Sequence, residues 1–164
     1  MILSGVSEEI WLDLAQNNSL KYLLFKDNTL IQDDHSSLQF HRFVSSMPRN
    51  LLALGLSQTQ ISTSQLIALI QVLSKSNSSL RHLDVSDNLL GVHASDQTAD
   101  LVRFAKNLYS LNLRNNGLRD SGGNKIATAL TLATQLQYLD LEKNGLRTSA
   151  RAVVAAIHTD SKLR

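Results

Sequence analysis

The eleven residues LYSLNLRNNGL, from Leu108 to Leu118, decide the fold of this chain. They read Leu-x-x-Leu-x-Leu-x-x-Asn-x-Leu. The same pattern returns from position 136 as LQYLDLEKNGL and occurs earlier, from position 80, as LRHLDVSDNLL. Looser copies, LKYLLFKDNTL and LLALGLSQTQI, begin at positions 20 and 51. The starts at 20, 51, 80, 108 and 136 lie 31, 29, 28 and 28 residues apart, so the chain consists of five copies of one structural unit.

Each copy begins with a short strand. The second and third apolar positions of the motif alternate with variable residues, which places the apolar side chains on one face of a strand. We therefore expect strands near 22–26, 53–57, 82–86, 110–114 and 138–142. An apolar stretch with helical spacing follows each strand, as in Leu66, Ile67, Ile70 and Leu73 of the second copy. Strands that alternate with helices predict a parallel sheet.

This motif and its period resemble the leucine-rich repeat, and the long period resembles the ribonuclease-inhibitor-like class of that repeat. The resemblance covers nearly the whole chain. It implies a right-handed α/β solenoid, a horseshoe with a parallel β-sheet on its concave side and helices on its convex side. In that family, Asn side chains at the strand ends form a ladder onto neighbouring backbone. Asn28, Asn88, Asn116 and Asn144 match these positions, whereas Thr59 replaces the Asn of the second repeat, where we expect the ladder to be weakest.

The five repeats form a single leucine-rich repeat domain, residues 1–164. Residues 1–18 have an irregular apolar stripe and end in Asn17-Asn18, so they are predicted to be an N-terminal helical cap that lacks a strand of its own. In the fourth repeat, Gly122-Gly123 is predicted to be a turn. Residues 160–164 lie where a sixth strand would begin. The chain is therefore either a fragment of a longer repeat array or capped by its last helix.

Composition argues against several classes of function. The 16 basic and 14 acidic residues give a net charge of +2, and no run of Lys and Arg accompanies the sequence pI of about 9.0, so nucleic-acid binding is not expected. The absence of cysteine excludes disulfides and fits a reducing compartment. The sequence starts with neither a basic region nor a long apolar run, so we expect no membrane segment. We also expect the protein to be cytoplasmic and monomeric.

Catalytic and metal-binding signals are weak. The five histidines lie in different repeats or loops, and neither a nucleophile-elbow motif nor a phosphate-binding loop occurs. Asp33-Asp34-His35 has no second group of ligands at a defined spacing. We therefore expect no enzyme activity, no cofactor and no metal.

The residues that face away from the helices form a grid on the predicted concave face. The first repeat presents Tyr22, Leu24 and Lys26, and the second, with Ala53, Gly55 and Ser57, predicts a shallow uncharged notch. Asp84, Asn112 and Asp140 should form a polar row, since neighbouring strands lie about 4.8 Å apart, and Arg114 should lie beside Glu142. Because Tyr and Arg are common anchors of protein interfaces, the candidate partner-binding residues are His82, Asp84, Asn112, Arg114, Tyr138, Asp140 and Glu142. The alternative interpretation is a solvated sheet face without a partner.

The resemblance implies a non-catalytic protein–protein interaction module that binds a protein partner on its concave face. One alternative is a regulator of an enzyme such as a GTPase activator, since one branch of this repeat class acts in that way. Another is the recognition domain of a larger multidomain protein. Short repeat proteins without cysteine also resemble effectors that intracellular bacteria translocate into host cells, so a bacterial effector acting in a host cell is a further hypothesis.

Overall fold

The computed structural model describes residues 2–3, 10–26, 34–74, 79–132 and 135–159. Within these ranges, strands and helices alternate along the whole chain. The strands are β1 (Ile2–Leu3), β2 (Tyr22–Lys26), β3 (Ala53–Ser57), β4 (His82–Asp84), β5 (Ser110–Asn112) and β6 (Tyr138–Asp140). The α-helices are α1 (Ile10–Gln16), α2 (Asp34–Ser45), α3 (Thr63–Leu73), α4 (Ser95–Phe104), α5 (Arg119–Leu130) and α6 (Ser149–Thr159), and a 3₁₀ turn, Val92–Ala94, precedes α4.

All the strands belong to one parallel sheet, in which their spatial order is their order in the chain. Each helix contacts the helix of the next repeat. This arrangement confirms the predicted α/β solenoid. The strands of repeats three to five end earlier than predicted, at Asp84, Asn112 and Asp140.

The core lies between the sheet and the helices. The central leucines of the five motifs are in register with one another across the sheet. Those of the first four repeats, Leu23, Leu54, Leu83 and Leu111, are at most 2% exposed. Because every repeat buries its apolar strand face against the same layer of helices, the core is continuous along the solenoid.

The Asn ladder is present in repeats three to five. The Asn116 side-chain nitrogen donates to the carbonyls of Val85 and Leu113 at 2.9 and 3.0 Å, and its oxygen accepts the Asn88 N–H at 3.2 Å. Asn144 accepts the Asn116 N–H in turn, at 3.0 Å. These side chains connect the backbone of consecutive repeats. Asn28 lies outside the described residues.

Thr59 occupies the ladder position of the second repeat with fewer bonds. Its side chain is fully buried and its hydroxyl donates to the Leu56 carbonyl at 2.8 Å. A hydroxyl has one donor proton, whereas the Asn88 amide donates to three carbonyls. The hydroxyl also lies 3.4 Å from the Asn88 side-chain oxygen. This repeat therefore has fewer ladder bonds than repeats three to five.

Two sequence expectations are wrong. Residues 2–3 form strand β1, which pairs with β2 through Ile2 and Leu24, so the N-terminal segment does not lack a strand. The Gly122-Gly123 pair lies inside α5 and is not a turn. Both glycines are buried where α5 meets its neighbours, and a Cβ on Gly123 would overlap the hydroxyl of Ser149. These glycines therefore permit close helix packing.

Helix α6 is capped by a residue from the preceding repeat. One Asp120 carboxylate oxygen accepts the Ser149 N–H at 2.9 Å, the Ser149 hydroxyl at 2.8 Å and the Arg147 N–H at 2.9 Å. The hydrogen bond from the Ser149 backbone N–H, followed by the one from the Ser149 hydroxyl, holds the pKa of Asp120 well below its usual range, because both bonds favour the charged carboxylate. Asp120 of α5 therefore joins the start of α6 to the preceding repeat.

Candidate functional site

The predicted polar row is confirmed by the strand register. Asp84 pairs with Asn112 and Asn112 pairs with Asp140 across strands β4, β5 and β6. His82 and Tyr138 flank Ser110 in the same way, one row nearer the strand starts. All these side chains project from the sheet face opposite the core, which is the concave face.

Each member of the polar row also stabilises its own strand end. One side-chain oxygen accepts a backbone N–H two residues further along the chain: Asp84 from Ser86 at 2.9 Å, Asn112 from Arg114 at 3.0 Å and Asp140 from Glu142 at 2.8 Å. These local bonds occupy N–H groups that a continued strand would use, so the regular ladder ends at the row. Backbone bonds such as that from the Val85 N–H to the Asn112 carbonyl, at 3.0 Å, still join the repeats beyond it. The row is half-buried, and the second oxygen of each carboxylate can still accept from a partner.

Arg114 and Glu142 form the predicted ion pair. Their side chains are 30% and 59% exposed, so water screens the attraction and the pair contributes little to stability. It does hold the Arg114 guanidinium beside Glu142, just beyond the end of strand β6. This part of the concave face therefore carries three acidic residues, Asp84, Asp140 and Glu142, and one basic residue, Arg114.

An aromatic cluster adjoins the charged groups, and its central residue was missed by the sequence analysis. The Tyr109 ring lies 5.1 Å from that of Tyr138 and 5.9 Å from that of His82, the latter edge to face. Tyr109 occupies the second position of its repeat, immediately before β5. Strand alternation does not include this position among the surface residues. Because Tyr109 lies just before the strand, alternation within the strand gives no signal for the direction of its side chain.

Repeats one and two differ from the expectation. Tyr22 and Leu24 are 54% and 38% exposed, as predicted for outward residues. Gly55, however, does not open a notch: a Cβ there would approach the Leu24 Cδ2 to 2.7 Å, since the leucine side chain lies over the glycine. The Lys26 side chain is outside the described part of the chain.

Two shallow depressions lie near the predicted residues. One, of about 340 Å³, is lined by strands β5 and β6 and includes Asn112, Tyr138 and Asp140. The other, of about 310 Å³, lies where the strands begin, and is lined by Arg81, His82, Asn107, Tyr109, Gln135 and Gln137. Four of the candidate residues line these depressions: His82, Asn112, Tyr138 and Asp140. Asp84 joins them through its register with Asn112, and Arg114 and Glu142 through their ion pair at the ends of the neighbouring strands.

Neither a metal site nor a membrane span is found in the part of the chain that the structure describes. No group of three or more His, Cys, Asp or Glu side chains converges there. No helix in those ranges has the length and apolar character needed to cross a bilayer. Asp33 and the His35 side chain lie outside the described residues.

Comparison with known proteins gives the fold. The family model described as "Leucine Rich repeat" matches residues 76–91 and 105–127. No curated protein matches the sequence significantly.

Two solved structures share the architecture of the chain. The tropomodulin C-terminal domain of Caenorhabditis elegans is similar with a TM-score of 0.71 and 16% identity, over 95% of this chain and 94% of that one. A structure of leiomodin-1 actin-binding site 2 is similar with a TM-score of 0.61 and 14% identity, over 80% of this chain and 77% of that one. The fold is a leucine-rich repeat solenoid. At these identities the likeness shows the fold alone.

Proposed function

We propose that this chain is a non-catalytic protein-binding module whose partner lies on the concave face across strands β4 to β6. The observation that carries the proposal is the contact between Tyr138 and Tyr109, with ring centroids 5.1 Å apart. Tyr138 is half exposed, and its neighbour Asp140 lies in register with Asn112. A large exposed ring on a regular strand is a common anchor of protein interfaces.

The physical reason is preorganisation. The Tyr138 ring is already held by its neighbour, so burying it in an interface requires little further loss of side-chain freedom. Arg114 is likewise held by Glu142 and can pair with a second carboxylate through its remaining donors. Polar groups around an aromatic anchor supply specificity at small energetic cost, as long as each finds a partner when buried.

Actin is the first partner to test. The leiomodin-1 structure that resembles this chain is described as an actin-binding site. The proposal predicts that purified actin binds the parent chain and that Arg114→Ala with Tyr138→Ala weakens this binding. If neither monomeric nor filamentous actin binds, the partner is another protein, and only the choice of actin is refuted.

The other hypotheses are favoured by no specific contact. A GTPase activator that supplies an arginine in trans needs a side chain that enters the partner's active site, and no contact among the described residues points to such a role for Arg114 beyond its ion pair with Glu142. The recognition domain of a larger protein, the bacterial effector and the cytoplasmic, monomeric state remain predictions. All are compatible with a protein partner on the concave face.

The experiment that tests the proposed function is a comparative pull-down with three baits. The parent chain is compared with Arg114→Ala/Tyr138→Ala and with a helix-side control, Arg151→Ala/Val154→Ala. The control removes one exposed cation and one exposed apolar side chain from α6. Mass spectrometry should identify a protein retained by the parent and the control and lost by the concave variant. If the three baits retain the same proteins, the concave face is not the binding surface.

A further inference from the structure

The turns that lead from the helices into the strands carry charge of one sign. We name this edge the strand-start rim and define it by the residues that the structure describes there: 17–21, 46–52, 74, 79–81, 105–109, 131–132 and 135–137. They include four basic residues, Lys21, Arg49, Arg81 and Lys106, and no Asp or Glu. The opposite edge, where the strands end, mixes both signs, with Asp87, Arg114, Asp120 and Lys143 among its charges. The sequence has no run of Lys and Arg, but the fold brings the four basic residues of the rim to one edge of the sheet.

Backbone hydrogen bonds fix this arrangement. The Lys21 carbonyl accepts the Leu52 N–H at 2.7 Å, the Leu52 carbonyl accepts the Arg81 N–H at 2.8 Å, and the Arg81 carbonyl accepts the Tyr109 N–H at 2.7 Å. Lys21 and Arg81 are therefore two strand spacings apart, roughly 10 Å. Arg49 belongs to the intervening turn, which is joined to the first repeat by the bond from the Asn50 amide to the Asn18 carbonyl.

The four basic side chains that the structure describes on this rim, Lys21, Arg49, Arg81 and Lys106, are all exposed. Neither of the ion pairs found among the described residues includes any of them. Asp13 of α1 lies four residues before the rim in the sequence, at the first repeat. The C-terminal ends of the helices also point to the rim, and their negative partial charge offsets part of this positive field. A structural role in balancing the helix ends is therefore the competing explanation.

A depression within the rim adds directional contacts to the charge. Arg81 donates through Nη1 to the Asn107 carbonyl at 2.9 Å, which uses one of the five N–H donors of its guanidinium. The remaining donors can bind a carboxylate through two parallel bonds. The side-chain amides of Gln135 and Gln137 line the same depression of about 310 Å³ and can pair with a peptide backbone.

We infer that the strand-start rim binds an acidic segment of a partner protein, and this inference rests on the proposed function. The positive charges extend from repeat one to repeat four, about 14 Å along the sheet, which an extended peptide spans with about five residues. The concave face beside it carries Asp84, Asp140 and Glu142, so the partner's acidic segment should lie beside a neutral or basic surface. Nucleic acid is a poorer fit to the rim itself, since base stacking needs an open aromatic face and Tyr109, the aromatic residue of the described rim, is half-buried and packs against Tyr138 and His82.

The test uses fluorescence anisotropy with three labelled probes: the decapeptide (Glu-Ala)5, its neutral counterpart (Gln-Ala)5, and a single-stranded decathymidine. The parent should bind the acidic peptide more tightly than either of the other two, with an affinity that falls as salt is added. Arg81→Glu with Lys106→Glu should weaken this binding by about tenfold or more, because both attractions become repulsions. The matched control, Lys143→Glu with Arg151→Glu, makes the same change in net charge away from the rim and should stay within about twofold.

Each other outcome overturns the inference. Equal losses in the rim variant and the control would show that only net charge matters. Tighter binding of decathymidine would assign the rim to nucleic acid, and absence of acidic-peptide binding by the parent would refute the site. A rim variant with a lowered melting temperature and unchanged binding would leave the rim with its structural role alone.

The concave variant separates this inference from the proposed function. Arg114→Ala/Tyr138→Ala should still bind the acidic peptide, because neither residue lies on the rim. If the peptide binds and no partner depends on the concave residues, the proposed function fails and the rim site stands. If the concave residues bind a partner and the peptide does not bind, the rim inference alone fails.

Discussion

Replacing Asn88 with alanine removes one member of the ladder without changing the leucine core. The Asn88 side chain is 7% exposed. Its nitrogen donates to three backbone carbonyls, those of Leu56, Val85 and Ser86, at 2.8, 2.9 and 3.0 Å. Its oxygen accepts two backbone N–H groups of the preceding repeat, those of Thr59 and Ile61, at 3.0 and 3.1 Å. The substitution therefore breaks bonds both within a repeat and between repeats.

The expected loss follows from which groups remain without a partner. The carbonyls of Leu56 and Val85 keep a second donor, the Thr59 hydroxyl and the Asn116 amide. The N–H groups of Thr59 and Ile61 have no other partner among the described residues. A buried N–H that loses its acceptor costs on the order of 1–3 kcal/mol, so the free energy of unfolding should fall by about 4 kcal/mol.

Thr59→Ala is the matched comparison, because it removes one bond from the same pair of repeats. The Leu56 carbonyl keeps the Asn88 amide when the Thr59 hydroxyl is lost, so the free energy of unfolding should fall by only about 1 kcal/mol. Urea unfolding followed by far-UV circular dichroism measures both values. Amide hydrogen exchange should also accelerate at positions 59 and 61 in Asn88→Ala. Equal stability losses in the two variants would refute the ladder as the source of cohesion between these repeats.

Three further predictions concern packing, charge and the first repeat. Gly123→Ala should lower the melting temperature despite alanine's higher helix propensity, because the new Cβ meets Ser149, whereas Asn124→Ala, exposed in the same helix, should not. Asp120→Asn should also destabilise the protein at neutral pH. Folding lowers the Asp120 pKa from its ordinary 3.8, so the stabilisation by the Asp120 carboxylate is present above this value and is lost as the pH falls through the folded pKa. The melting temperatures of parent and variant should therefore converge in acid. A constant difference between them would contradict this role. Deletion of residues 1–18 removes β1 from the edge of β2 and α1 from α2, so size-exclusion chromatography should show association; a stable monomer would make this segment dispensable.

The sequence predicted the architecture because leucines at a fixed spacing, repeated every 28 residues or so, determine which side of each strand is buried. Once the inward residues are known, the register of Asp84, Asn112 and Asp140 and the pairing of Arg114 with Glu142 follow from strand alternation. Strand β1 was missed because Ile2 and Leu3 are too few to show a period. The role of Gly122-Gly123 was missed because a glycine pair gives the same local signal in a turn and in a close helix contact.

The candidate surface was only partly predictable, for a similar reason. Alternation identifies outward residues inside a strand, but Tyr109 and Arg81 lie just before strands, where no periodic rule gives their direction. The strand-start rim was invisible because its charges are about 25 to 32 residues apart in sequence and adjacent only in the fold. Alignment of the repeats, with residues at equal positions compared, would reveal such surfaces from the sequence.

The affinity of a purified partner for Arg114→Ala/Tyr138→Ala tests the central claim most directly. The melting temperature is measured on the same samples, with Arg151→Ala/Val154→Ala as the helix-side control. Because both concave residues lie outside the leucine core, the variant should melt near the parent temperature. Loss of an interface anchor costs about 2 kcal/mol or more of binding free energy, so its affinity should fall by about thirtyfold, and that of the control should not change. A folded concave variant that binds as well as the parent, with a control that fails to bind, would place the partner on the helix side and contradict the account.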